Sequence, residues 1–203
     1  MKIICIGRNY DEHIRELGNE RPEEPVLFLK PDSALVLDNR DVRYPSFTSD
    51  LHHEAEIVLR ISKAGKDVSV ENAGKHFDAI ALGIDFTARD VQSRLKAKGL
   101  PWEIAKAFDD SAPVSSFIPF ENSSRTEGIV FSLKVDGELR QSADTRQMIY
   151  NFEEIIHWSS RFFQLNPGDL IFTGTPSGVG PVQRGNRLEG FLSGEKMLDF
   201  ILV

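Results

Sequence analysis

Residues 51 to 61 read Leu-His-His-Glu-Ala-Glu-Ile-Val-Leu-Arg-Ile, and the chemistry of the chain is densest there. In a strand successive side chains point to opposite faces, so the alternation predicts Leu51, His53, Ala55, Ile57, Leu59 and Ile61 on an apolar face and His52, Glu54, Glu56, Val58 and Arg60 on the other. Glu54 and Glu56 then project side by side, roughly 6 to 7 Å apart at the backbone, and repel unless water or a cation lies between them. A hard divalent cation with oxygen ligands is the matching partner. Asp85 offers a third carboxylate, because the apolar run Ala79 to Ile84 ends on it and a helix is expected from about Ala88. Strand ends that feed helices commonly carry functional side chains. Spacing alone also describes a solvated strand face with a turn aspartate, which is the commoner arrangement.

Three further groups have types and spacings that fit a site. The stretch Gly168 to Gly180 runs from an apolar strand into a loop with Gly174, Thr175, Ser177, Gly178 and Gly180, a composition that brings backbone N–H groups and hydroxyls close to an anion. It has no Gly-Lys-Ser/Thr, and Pro176 and Pro181 interrupt a dinucleotide-type helix start, so nucleotide chemistry is disfavoured. A plain glycine turn explains the loop as well as a substrate-carboxylate site does. His13 and Glu16 share a helical face, and a carboxylate bonded to an imidazole raises its basicity and fixes its tautomer, although most such pairs are surface contacts. Lys106 is by default a solvated lysine, yet Ile104, Ala105, Ala107 and Phe108 surround it with apolar chain.

The elements that must position these groups follow from local signals. Asn9 with Glu12 reads as a capping box opening a helix from Tyr10 to Leu17, stopped by Gly18-Asn19. Thr87 with Asp90 opens a second helix to Lys98, ended by Gly99 and Pro101. Asn151 with Glu154 opens a third, with Phe152, Ile155, Ile156, Phe162 and Phe163 at the 3.6-residue period until Asn166-Pro167-Gly168. Asp136-Gly137 between Phe131–Val135 and Glu138–Gln141 predicts a tight hairpin. Short apolar runs at 3–6, 26–29, 79–84, 170–172 and 197–203 complete a strand-rich pattern with few, peripheral helices.

Bulk properties exclude several classes. The 203 residues suit one domain of generous size, with 40% apolar and 27% charged residues. No apolar run approaches the ~18 residues of a membrane helix, and the start is too short for a signal sequence. A net charge of −7 argues against a nucleic-acid partner; Arg94 to Lys98 is better explained as a basic last helical turn. The single cysteine, Cys5, lies in the first apolar strand, which excludes a disulfide framework and makes a reducing cytoplasm the simplest home.

Taken together, Gly7-Arg8-Asn9-Tyr10 with His13 and Glu16, Glu24 to Pro31, His52-His53-Glu54-Ala55-Glu56, Asp85 to Gln92, Gly99 to Trp102 with Lys106, and Gly174 to Gly180 resemble the fumarylacetoacetate hydrolase family, more narrowly its acylpyruvate and fumarylpyruvate hydrolase branch. The ordered match runs from about residue 3 to residue 182; the tail from Arg184 to Val203 is less typical. The resemblance implies a mostly β fold with peripheral helices (α+β), a mixed β-roll or distorted β-sandwich. One catalytic domain would span residues 1–203, with residues 10–24 a mobile lid, in a homodimer. It implies one Mg²⁺ or Mn²⁺, with Ca²⁺ as a substitute, on Glu54, Glu56 and Asp85. Lys106 then matches an active-site lysine, Arg89, Gln92 and Thr175 line the substrate pocket, and His13 with Glu16 matches a lid dyad. The implied reaction is hydrolysis of an acylpyruvate to pyruvate and a carboxylic acid, with His13 activating water. Oxaloacetate-type decarboxylation or keto–enol isomerisation of a small 2-oxo diacid on the same platform is the alternative, because both pass through an enolate. A non-catalytic metal-binding protein is the reading from a different class, disfavoured by the presence of every catalytic position.

Overall fold

The computed structural model describes residues 1–120 and 128–203. In chain order the elements are β1 (Ile3–Gly7), α1 (Asp11–Glu16), β2 (Val26–Lys30), β3 (Leu35–Val36), β4 (Leu51–His53), β5 (Ala55–Ile61), α2 (Val70–Ala73), β6 (Phe77–Ile84), β7 (Thr87–Ala88), α3 (Arg89–Ala97) and α4 (Glu103–Lys106). Then come β8 (Ala112–Pro113), β9 (Ile118–Pro119), β10 (Val130–Val135), β11 (Glu138–Asp144), α5 (Phe152–Phe162), β12 (Leu170–Phe172), β13 (Gly180–Val182), β14 (Arg187–Leu192) and β15 (Glu195–Ile201). A six-stranded sheet in the order β2-β1-β12-β5-β6-β9 faces a four-stranded sheet β11-β10-β14-β15, with a small β13-β4-β7 sheet beside them. The pairings in the large sheet are antiparallel except β1 with β12. The protein is mostly β with few helices, as the sequence pattern predicts.

Both faces of the large sheet are covered. Ile57, Leu59, Ile80 and Leu82 belong to a core with Phe131, Leu133, Leu188, Leu198 and Phe200 of the second sheet. On the reverse, Ile3, Cys5, Val58, Ala81, Leu170 and Phe172 pack with Ala112 and Val114. The expectation of one half-solvated strand over residues 51–61 is therefore corrected twice. The chain leaves one sheet at His53 and enters another at Ala55, and the face carrying Glu56 and Val58 is buried. Val58 beneath Ala112 and Val114 is the physical reason, since a strand covered on both sides gives its carboxylates no water.

Helix positions hold, but two caps do not. Helix α1 has Tyr10 at its N-cap without a side-chain bond. Asn9 instead donates to the carbonyls of Tyr150 and Thr173 and accepts from the Tyr150 N–H, so it joins three segments rather than capping one. Helix α3 starts at Arg89 without a side-chain cap, because Thr87 and Ala88 are taken by strand β7 against β4. The capping box at Asn151 and Glu154 is present on α5, where Phe152, Ile155 and Ile156 are buried, while Phe162 faces outward and Phe163 lies past the last turn. In the β10–β11 hairpin Asp136 and Gly137 both take positive φ, of 51° and 80°. Among the described residues no helix is long and apolar enough to cross a membrane.

Candidate active site

The register of β5 against β6 brings the acids together. Ala55 pairs with Ile84 and Glu56 with Gly83, so the residues just beyond the ladder, Glu54 and Asp85, lie opposite each other, and the Asp85 N–H donates to the Glu54 carbonyl at 2.8 Å. Glu54, Glu56 and Asp85 each present an oxygen within 4.8 Å of the others, and their exposures are 5%, 2% and 1%.

Cations from three other elements converge on them. Lys106, at the end of α4, places Nζ 2.7 Å from Glu54 Oε2 and 2.6 Å from Asp85 Oδ2. The same ammonium sits 5.1 Å from the centre of the Phe28 ring. Arg89, at the start of α3, bonds Glu54 Oε1 at 2.5 Å and Gln92 Oε1 at 2.7 Å. Lys30, to which the sequence reading assigned no role, lies 2.8 Å from Asp85 Oδ1 with its side chain sealed from solvent. Its ammonium also donates to Ser111 Oγ at 2.9 Å and to the Lys106 carbonyl. A signal for Lys30 existed: it is the one charge on the apolar strand Val26–Lys30, directly before Pro31.

The electrostatics separate the two glutamates. Burial pushes the Glu54 carboxyl up, but Lys106 and Arg89, then His13, outweigh it and hold the group well below the usual carboxylate range. Glu56 moves the other way: burial, then Asp85 and Glu54, push it well above that range. Its Oε2 accepts the Gly174 N–H at 2.6 Å. Lys106 is lowered by burial but raised more by Asp85 and Glu54, so it remains a cation.

This donor set fits a hard divalent cation. Three buried carboxylates, each with an oxygen within 4.8 Å of the others, are the hard oxygen donors that suit Mg²⁺ or Mn²⁺. Among the described residues Glu56 forms no ion pair, and Asp85 Oδ1 receives no well-directed hydrogen bond although Lys30 is near.

The glycine loop serves this site from within. Its Gly174 N–H points at Glu56, so at that position it holds a protein carboxylate rather than an external anion. Gly174 has φ +100°, and a Cβ there would lie 2.6 Å from Asn9 Cβ. Thr175, although it lines the cleft, donates its hydroxyl proton to the Ala55 carbonyl at 2.8 Å and accepts from Gln141 Nε2 at 2.8 Å. Gln141, a further residue missed in sequence, also bonds His53 Nδ1 and the Ala55 N–H. His53 is thereby a buried structural imidazole, pushed by burial down to about 4.

Helix α1 closes over the acids. His13 and Glu16 share a face as expected, Nδ1 to Oε2 at 3.3 Å. The expected rise in basicity does not follow: burial lowers His13 by more than Glu54 and Glu16 raise it, so the ring is a neutral base at pH 7. Glu16 Oε1 also accepts the Gly178 N–H at 3.0 Å, and Glu12 accepts from Ser177 at 3.2 Å, which ties α1 to the glycine loop. Beneath it is a narrow cleft of about 50 Å³ lined by His13, the three acids, Arg89, Gln92, Lys106 and Thr175, together with Arg8 and Lys96. Every site residue predicted from sequence except Glu16 lines this one cleft, and Glu16 reaches it through His13.

Residues 2–198 match the family model described as fumarylacetoacetate (FAA) hydrolase C-terminal. The chain is 43% identical over 198 residues to the mitochondrial oxaloacetate tautomerase FAHD1 of Bos taurus, covering 98% of this chain and 90% of that protein. It is 40% identical over 205 residues to a mitochondrial oxaloacetate decarboxylase of Dictyostelium discoideum, covering 99% and 94%. Among solved structures, fumarylpyruvate hydrolase from Pseudomonas aeruginosa in complex with Mn²⁺ and pyruvate superposes with a TM-score of 0.92 at 42% identity, covering 100% of this chain and 90% of that one. With the motifs in order along one cleft and the family model matched along nearly the whole length, the chain belongs to the fumarylacetoacetate hydrolase family.

Proposed function

We propose that this enzyme moves a proton between carbon and oxygen of an oxaloacetate-like 2-oxo diacid, acting as a keto–enol tautomerase. The observation that carries the reading is the placement of a neutral buried imidazole, His13, in the same narrow cleft as the buried Lys106 ammonium. Tautomerisation needs one group to exchange a proton at C3 and another to hold charge on the C2 oxygen. It consumes no water. The resemblance of 40% or more to proteins named for oxaloacetate chemistry supports the same choice over acylpyruvate hydrolysis.

A divalent cation on Glu54, Glu56 and Asp85 would supply Lewis acidity toward the substrate's carboxylate and 2-oxo oxygen. Two of the three Lys106 N–H donors are directed to Glu54 and Asp85, leaving the third for the oxygen that carries the enolate charge. Glu16 accepts from His13 Nδ1, so Nε2 carries the lone pair that takes the proton from C3 and delivers it to the C2 oxygen in one direction, and takes the enol proton and delivers it to C3 in the other. Arg89 and Gln92, braced against each other, orient the substrate from α3. Helix α1, tied to Ser177 and Gly178, keeps water from the charged centre.

Hydrolysis of an acylpyruvate is the second reading. It is favoured by the His13–Glu16 pair, which would equally activate a water, and by the likeness to the fumarylpyruvate hydrolase. Mn²⁺-loaded protein given enol-oxaloacetate, acetylpyruvate and fumarylpyruvate separates the two, with enol absorbance, pyruvate release and CO₂ release followed together. The expected result is rapid loss of the oxaloacetate enol with little pyruvate or CO₂, and a fall in kcat of about 10² in Lys106→Met. Faster pyruvate release from either acylpyruvate than enol loss from oxaloacetate overturns the tautomerase assignment.

A further inference from the structure

The cations Lys30, Lys106 and Arg89 are all engaged by carboxylates of the acid cluster, Glu54 and Asp85. Arg8 and Lys96 line the cleft beside that cluster and are not engaged by it. Among the described residues neither forms an ion pair with a carboxylate; both direct a donor at one neutral acceptor, Asn19 Oδ1, from 3.3 Å and 3.1 Å. In a chain of net charge −7, two cations converging on one amide oxygen leave unspent positive charge at a definite place.

Their placement is built into the elements. Arg89, Gln92 and Lys96 fall at i, i+3 and i+7 on α3, so one helical face runs from the acid cluster to the cleft's other end. Seven residues at 1.5 Å each put Lys96 roughly 10 Å along the axis from Arg89. Arg8, at the end of β1, has φ +60°, a left-handed conformation that long side chains seldom adopt. Lys96 is lowered by burial first and then by Arg8 and Arg89, which reflects the proximity of the three cations. The helix dipole alone explains a lysine in the last turn of α3 but not an arginine brought up beside it.

We propose that Arg8 and Lys96 form the receptor for a second, distal carboxylate of the substrate, with Asn19 as the lid residue that shares it. This rests on the reading of the cleft as a 2-oxo acid site and specifies which acids it selects: dicarboxylates, whose far end meets Arg8 and Lys96 while the 2-oxo acid end meets the acid cluster. Because Asn19 follows α1, binding of the distal carboxylate also favours the closed position of His13.

Calorimetric titration of Mn²⁺-loaded protein tests this without turnover. One probe is 3,3-difluoro-oxaloacetate, a four-carbon diacid that cannot enolise; the other is 2-oxobutyrate, with a methyl group where the diacid has its second carboxylate. The wild type is expected to prefer the diacid, and the preference to fall by roughly threefold to tenfold in Lys96→Met and in Arg8→Gln, the worth of a charge-assisted contact at a partly exposed site. Lys96→Arg is expected to restore it. Lys96 is exposed, so its variants test recognition rather than folding. An unchanged preference, or an equal loss of affinity for both probes, overturns the proposal and leaves the pair a simple lid latch. Binding is read apart from catalysis, so failure of the tautomerase assignment appears in the turnover assay and failure of this one in the affinity ratio.

Discussion

Lys30 and Asp85 form an ion pair closed to solvent on both sides: Nζ lies 2.8 Å from Oδ1, and the side-chain exposures are 0% and 1%. The pair joins the end of β2 to the end of β6 and sets the aspartate against Lys106 on its other oxygen. Removing one partner of a buried pair leaves an uncompensated charge and typically costs about 3–5 kcal/mol. Lys30→Met is therefore expected to lower the denaturation midpoint steeply, measured by urea unfolding of metal-free protein. A loss below about 1 kcal/mol, the scale of exposed pairs, would mean that the remaining cations already neutralise Asp85.

Glu56 gives a pH signature in the metal-free protein. Its carboxyl is held above the ordinary 4.5 by burial and by Asp85 and Glu54, so the folded state binds its proton more tightly than the unfolded chain does. That contribution to stability is fully present below about 4.5 and declines as pH rises toward the folded value. Glu56→Gln, whose amide oxygen still accepts from Gly174, is expected to remove this decline and to be at least as stable as wild type at pH 8. Its Mn²⁺ affinity should fall by tenfold or more. Retained Mn²⁺ affinity measured by calorimetry would place the cation elsewhere.

His13 predicts the acid limb of the rate profile. Burial holds its pKa below 6.5 against the pull of Glu54 and Glu16, so the ring is neutral above that value and becomes charged as pH falls through the lowered one. By linkage its stability contribution has the same direction, present above 6.5 and lost toward acid. With metal saturating, kcat should be level near pH 7 to 8 and fall below 6.5. His13→Ala should lose roughly 10² to 10⁴ in kcat, the usual worth of a general base, and flatten this limb. A profile with the same limb in the variant assigns it to another group.

Gly174 predicts that loop backbone, not only side chains, controls the acid cluster. An added Cβ meets Asn9 Cβ at 2.6 Å and the Ile6 carbonyl at 3.2 Å at a backbone angle unfavourable for any other residue. Gly174→Ala should shift the N–H away from Glu56, weaken Mn²⁺ binding severalfold and destabilise the protein by about 1–3 kcal/mol, the range for a lost buried hydrogen bond with local strain. The comparison of Mn²⁺ affinity with thermal melting checks both, and normal values for the two would show that the loop adapts.

Local chemistry was legible without coordinates. The alternation around Glu54 and Glu56, the Asp85 strand end, the i, i+3 spacing of His13 and Glu16, the Asn151–Glu154 cap and the Asp136-Gly137 turn all depend on neighbours within a few residues. So does the strand-rich character of the chain. What the tertiary structure alone decided depends on partners far along the chain. The crossing of the strand from one sheet to another at Glu54, the cover over Val58, the transfer of Asn9 from a helix cap to Tyr150 and Thr173, and the burial of Lys30 against Asp85 are set by contacts across many tens of residues. Burial decided the charges too. Spacing placed two glutamates side by side, but only the tertiary structure, by setting Lys106 and Arg89 against one and burying the other beside Asp85, held Glu54 well below the usual carboxylate range and pushed Glu56 well above it.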